Sequence, residues 1–157
     1  MIEYKIYKPG ELEPERLFDF LKEVDDYLTP TLSSRVNLTD YSKKLANQAT
    51  NYVAIDNGQI IGLSSCYFNK APEMSFGTYL CVKEEYQKEG GIGIKLISDI
   101  IDYCEANGSK GFWCAIRKTN KPLRKMYKIL GFTIKSEQTY PNSDVVELYI
   151  EKLFINE

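Results

Sequence analysis

Glu85-Tyr86-Gln87-Lys88-Glu89-Gly90-Gly91-Ile92-Gly93 joins a strand-like run, residues 74–82, to a helix-like run, residues 92–106. Strand, glycine turn and helix N-terminus in that order make an anion site. Glycines let the backbone approach a ligand closely, several N–H groups point outward, and the helix dipole favours negative charge. The same spelling also suits a plain tight turn from strand to helix. Two phosphate loops can be tested against it. A Walker loop needs G-x-x-x-x-G-K-[ST], which is absent. A dinucleotide fingerprint needs G-x-G-x-x-G, but Gly91-x-Gly93 is followed by Leu96 where the third glycine belongs.

The helix over 92–106 is marked by Ile97, Ile100, Ile101 and Cys104 at i, i+3, i+4 and i+7. Asn107-Gly108 supplies a left-handed cap. Residues 110–116 read as a short buried strand. Residues 120–130 read as a helix with Leu123, Met126, Tyr127 and Leu130 on one stripe, closed by Gly131. Residues 132–139 and 145–153 read as closing strands around the turn residues Pro141-Asn142-Ser143-Asp144. Upstream, residues 2–7 alternate as a strand. Residues 14–27 read as an amphipathic helix with Leu17, Phe18, Leu21, Val24 and Leu28 on its apolar face. Residues 38–49 read as a second helix, capped by Asn37 or Thr39. Residues 51–56 and 59–68 read as strands joined by Asn57-Gly58, the strongest short hairpin signal. Residues 83–90 read as a polar loop. The order β-α-α-β-β-β-α-β-α-β-β predicts an α/β (α+β) domain with a mixed sheet, mostly antiparallel in its first half.

The chain has 157 residues, 43% of them hydrophobic, which predicts one domain over 1–157. A domain of that size buries roughly 68–70% of its unfolded surface and needs no metal or disulfide to hold a core. Lys plus Arg number 20 and Asp plus Glu 22, a net charge of −2. That balance argues against a nucleic-acid partner. There is no histidine. Ser-His-Asp and Cys-His catalysis and His-ligated zinc are therefore excluded, and no metal is expected. Cys66, Cys81, Cys104 and Cys114 each lie in an apolar run, as buried thiols do, which predicts a reducing cytoplasm. The N-terminus alternates like a strand rather than a signal peptide, and no apolar stretch is long enough for a membrane helix.

Lys88-x-x-Gly91-x-Gly93 resembles the R/Q-x-x-G-x-G/A signature of the GNAT superfamily of acyl-CoA-dependent N-acyltransferases. Asn120-x-x-Leu123-x-x-x-Tyr127-x-x-x-Gly131-Phe132 is similar to that family's second motif. The element order is similar over essentially the whole chain. The resemblance implies a three-layer fold, with a mixed, mostly antiparallel sheet of about seven strands flanked by about four helices. One departure is that Tyr86-Gln87 is followed by Lys88, so that either Gln87 or Lys88 leads the loop; only the Lys88 alignment places both glycines.

The resemblance also implies roles. Acetyl-CoA is the co-substrate, lying in a V between the strands over 74–82 and 110–116. The backbone of Leu80, Cys81 and Val82 pairs with its pantetheine amides. Lys88 and the N–H groups of Glu89, Gly90, Gly91, Ile92, Gly93 and Ile94 bind the pyrophosphate. Asn120 contacts the pantetheine arm, caps its helix, or both. Tyr127 protonates the leaving thiolate, because a phenol of ordinary pKa near ~10 stays protonated at neutral pH. Read by periodicity alone, Tyr127 is a core residue. Glu73 stands just before the strand that often carries a base in this family, and would act through a water or be an ordinary loop carboxylate. Residues 29–40 and 139–144 set acceptor specificity, with Arg35, Tyr41 and Tyr140 as substrate-binding candidates. The expected reaction acetylates a primary amine of a small molecule. A protein N-terminus or lysine is the alternative acceptor, and a catalytically silent CoA-binding module is the alternative of another class. The state expected is monomer or homodimer.

Overall fold

The computed structural model describes residues 1–28, 30–88 and 90–154. Seven strands run in the order β1-β2-β3-β4-β5-β7-β6 within one sheet. The strands are β1 Glu3–Tyr7, β2 Thr50–Asp56, β3 Gln59–Tyr67, β4 Ser75–Val82, β5 Gly111–Arg117, β6 Thr133–Thr139 and β7 Val146–Leu153. The helices are α1 Pro14–Glu23, α2 Leu38–Gln48, α3 Glu84–Gln87, α4 Ile92–Ala106 and α5 Lys121–Ile129. The β1–β2, β2–β3, β5–β7 and β6–β7 ladders are antiparallel, and β4–β5 is parallel. The mixed α/β sheet expected from the element order is therefore present.

Two compact units divide the chain, one of residues 1–67 and 79–97, the other of 68–78 and 98–157. In the first, α1 and α2 cover β1, β2 and β3. Pro14 starts α1, where its missing N–H costs no hydrogen bond. Leu17, Phe20, Leu21 and Val24, at i, i+3, i+4 and i+7, are buried. Phe18, expected on this face, is only half-buried, one step round the helix, and Phe20 takes its place. The helix stops at Glu23 rather than at 27. Asp25 accepts from the Ser33 N–H at 2.8 Å and the Ser33 hydroxyl at 2.5 Å, tying a 3-10 turn at Asp25–Tyr27 to another at Leu32–Ser34. A carboxylate is disfavoured at a helix C-terminus but content in that turn. Asn37, rather than Thr39, caps α2, accepting from the Asp40 N–H at 3.0 Å. The hairpin follows Asn57-Gly58, both at positive φ.

In the second unit, Ser75–Gly77 of β4 pair with Phe112–Cys114 of β5. A buried polar knot fixes the segment before β4. The Ser75 and Ser109 hydroxyls lie 2.6 Å apart, and Ser109 donates to the Asn69 carbonyl at 2.5 Å. Phe112 is fully buried and lies edge-on to Phe132, 6.2 Å between centroids. Helix α5 buries only Tyr127 completely. No helix among the described residues is long and apolar enough to cross a membrane.

Candidate active site

The glycine turn has the geometry its spelling implies. Gly90 and Gly91 both take positive φ, 67° and 83°, and a Cβ at either would meet nothing within 4 Å. The surface there is open backbone. Lys95 N–H bonds the Gly91 carbonyl at 3.0 Å, so α4 begins directly after Gly91. The N–H groups of its first turn, Ile92-Gly93-Ile94, face the helix N-terminus, where the dipole favours an anion. The buried Ile92 side chain anchors this turn beside Leu96, Val82, Ile61 and Ala54. The polar stretch before it is not all loop. Residues 84–87 form α3, and the Gln87 amide donates to the Val82 carbonyl at 2.8 Å. That bond occupies Gln87 in structure and leaves Lys88 exposed at the helix end. Glu89 lies outside the described residues.

Leu80, Cys81 and Val82 end β4. Alternation divides them: Leu80 and Val82 pack with Ile92 and Leu96, while Tyr79 and Cys81 pack with Tyr41, Tyr67 and the α1–α2 core. Tyr79 and Cys81 are hydrogen-bond partners, and Tyr41 and Asp25 are close enough to oppose a charge on Tyr79. Burial above all, then the neighbouring thiol, holds the Tyr79 phenol far above its usual range, and burial pushes the Cys81 thiol up to about 11. Lys44 stands over the Tyr67 ring at 5.5 Å. Tyr67 and Tyr79 were not expected at the site. The period-2 pattern of β4, which puts Tyr79 beside Cys81, was the signal.

In the second unit, Asn120 accepts from the Leu123 N–H at 3.1 Å and caps α5. Tyr127 is 4% exposed and packs edge-on against Phe132 at 4.9 Å. Its hydroxyl partners the Cys114 thiol on β5. Burial, reinforced by that thiol, keeps the phenol protonated well above its normal range, and burial pushes Cys114 up to about 12. Cys114 was missed as a partner because the two residues are 13 positions apart and meet only through β5 and α5 packing. Glu73 is exposed just before β4; its N–H bonds the Lys70 carbonyl and its own carbonyl accepts from Lys110. Arg35 is exposed at the end of the Leu32–Ser34 turn. Tyr140 lies beneath the Arg117 guanidinium at 5.8 Å.

These buried acids make stability depend on pH. All are neutral in the fold and ionise more easily in the unfolded chain. Their contribution is therefore complete below the unfolded thiol value of 9.0 and is lost as pH climbs toward the folded values of about 11 and 12. Thermal melts in reducing buffer should show a flat Tm up to about pH 9 and a steady fall beyond it. A Tm that stays flat to pH 11 would contradict the neutral, buried state of these groups.

The model of the acetyltransferase (GNAT) family matches residues 14–132. The chain belongs to that family. It is accordingly an acyltransferase that uses acetyl-CoA. No curated protein sequence gives a match. Solved structures share the fold at low identity. Ard1 from Thermoplasma volcanium is 15% identical with a TM-score of 0.76, covering 98% of this chain and 99% of that one. The ribosomal-protein-S18-alanine N-acetyltransferase from Escherichia coli is 16% identical with a TM-score of 0.75, covering 96% and 92%. A candidate streptothricin acetyltransferase from Bacillus anthracis, solved with acetyl coenzyme A, is 23% identical with a TM-score of 0.59, covering 69% and 64%.

Proposed function

We propose that this acetyltransferase transfers the acetyl group of acetyl-CoA to a primary amine of a small molecule by direct attack, with Tyr127 as the proton donor to the departing thiolate. The observation that carries the reading is Tyr127 itself. Its phenol is buried, protonated and directed at a polar partner on β5, on a helix capped by Asn120. An inert core position has no need of a hydroxyl there. The open glycine backbone at 90–91 and the first-turn N–H groups of α4 suit the pyrophosphate. Lys88, exposed where Gln87 is engaged, supplies the cation. The backbone of Leu80, Cys81 and Val82 serves the pantetheine amides.

The amine must arrive neutral or lose a proton before attack. Tyr79, Cys81 and Tyr127 are too strongly protonated to take it. Glu73 takes it only through water, and an unshifted pH profile of kcat/KM in Glu73→Gln removes it from the mechanism. On the acceptor side, Tyr41, with Tyr79 and Asp25 nearby, forms a phenolic and acidic corner suited to a cationic amine. Arg35 and Tyr140 remain the other acceptor candidates. A protein N-terminus is the second reading, favoured by the full-length likeness to the S18-alanine enzyme. The family match runs through both compact units, which supports one catalytic domain over 1–157. The buried thiols suit a reducing cytoplasm.

Thermal unfolding with acetyl-CoA, against ATP and NAD, tests the cofactor. At ~100 times its dissociation constant a ligand adds roughly 2.7 kcal/mol, on the order of 5–10 °C for a domain of this size. Acetyl-CoA alone should give that shift, and Lys88→Ala should reduce it. A release assay for free thiol with small amines and with N-terminal peptides then separates the two acceptor classes. No turnover with any small amine, alongside turnover of a peptide, would replace the first reading by the second.

A further inference from the structure

A groove of about 630 Å³ lies between α5 and the strands beneath it, wholly within the second unit. Its floor is apolar: Ile116 of β5, Phe132, and Leu148 and Ile150 of β7 are all at least 93% buried. Its outer wall includes Ile134 of β6, a large apolar side chain left 57% exposed. Its rim is cationic. Lys121, Arg124, Lys125 and Lys128 follow i, i+3, i+4 and i+7, so they stand on one face of α5, and all four line the groove. Among the described residues, no carboxylate lines it. Among the described residues none of the four cations makes an ion pair; Arg124 donates only to the Lys118 carbonyl, at 3.1 Å.

That arrangement is unfavourable for the protein alone. Like charges three and four residues apart on a helix repel. An exposed isoleucine beside a concave apolar floor leaves further area in water. One occupant relieves both costs: a molecule with an apolar body and a single negative head. The groove volume falls within the range of small-molecule sites, roughly 300–1,000 Å³. Its apolar floor is unsuited to nucleic acid, whose outer surface is charged throughout.

We propose that this groove binds a small amphipathic carboxylate, its alkyl or aromatic body on the Ile116–Ile150 floor and its carboxylate on Lys125 and Lys128. The proposal does not depend on the acid role given to Tyr127 and stands or falls on binding alone. Tyr127 lines the same groove, so an occupant would touch the ring of that residue.

The test uses the fluorescent dye 8-anilinonaphthalene-1-sulfonate, an aromatic anion, with decanoate and decanol as competitors. The dye should bind with an enhanced, blue-shifted signal, decanoate should displace it, and decanol at equal concentration should not. Affinity should fall as salt is raised. Lys125→Glu with Lys128→Glu, and separately Ile134→Asp, should each weaken dye and decanoate binding roughly tenfold. These positions are exposed, and a melt without ligand checks that both variants fold. Equal competition by decanol, or unchanged binding in both variants, would overturn the proposal. So would displacement of the dye by acetyl-CoA, which assigns the cations to nucleotide phosphates. Loss of the dye signal as protein concentration rises would assign the groove to a second copy of the chain, and equally end the proposal.

Discussion

Tyr127→Phe is expected to lower kcat about 100-fold while changing acetyl-CoA affinity by less than about twofold. The size follows from the chemistry of the pair. A phenol is a weaker acid than a thiol, roughly pKa 10 against 8.5 in solution, and burial raises the Tyr127 phenol further. Full transfer before the C–S bond breaks is uphill. The hydroxyl instead donates a hydrogen bond that strengthens as negative charge reaches the sulfur, and the proton follows. Such a donor acts in the transition state more than in the ground state, so its loss appears in kcat. Because the phenol stays protonated across the working range, the deficit should be the same at every pH from about 6 to 9. The substitution removes one hydroxyl and leaves the ring on Phe132, so the variant should fold, at a cost of about 1 kcal/mol. An unchanged kcat at saturating substrates would return Tyr127 to the core and remove the acid from the mechanism.

Phe112→Ala is expected to cost about 3–5 kcal/mol, or roughly 6–20 °C in Tm. Phe112 is the largest fully buried side chain among the described residues, and its ring fills the space that β4 leaves open by carrying Gly77 diagonally across from it, in register with Cys114. A Cβ at Gly77 would lie 2.6 Å from Cζ of that ring and 2.7 Å from Cε1. Gly77→Ala alone should therefore cost about 1–3 kcal/mol by overpacking. Together the two should not add. With the ring gone the new methyl group occupies part of the cavity. The double variant should be at least about 1 kcal/mol more stable than the sum of the singles requires. Denaturant titration of the four proteins measures this coupling. Additive costs would show that the two positions do not share one space.

The elements legible in the sequence are those whose signals are local. Asn57-Gly58 demands a hairpin because both residues sit at positive φ, and they do. The 3.6-residue period and its flanking glycines placed α4 at Ile92–Ala106 without error. Gly108 and Gly131 close their helices at φ 97° and 95° because no side chain hinders that turn. Glycines 90 and 91 open the backbone before α4 for the same reason. Each of these depends on a few consecutive residues, so a linear reading suffices.

Tertiary structure decided the rest. The end of α1 moved from 27 to Glu23 because the Asp25 carboxylate found Ser33, a partner eight residues away that periodicity does not register. Helix α3 formed in a stretch too polar to show an apolar face, held by Tyr86 on Asp56 and Gln87 on the Val82 carbonyl. The order β5-β7-β6, with the last strand inserted between its predecessors, follows from long-range pairing rather than from chain order. The pairing of Tyr127 with Cys114, and the grouping of Tyr41, Tyr67, Tyr79 and Cys81, arise where strands and helices from distant parts of the chain are packed together. The sequence by itself determined which backbone turns and helices could form and which family they spell. Packing decided which side chains lost their water, and through that loss which phenols and thiols stay protonated.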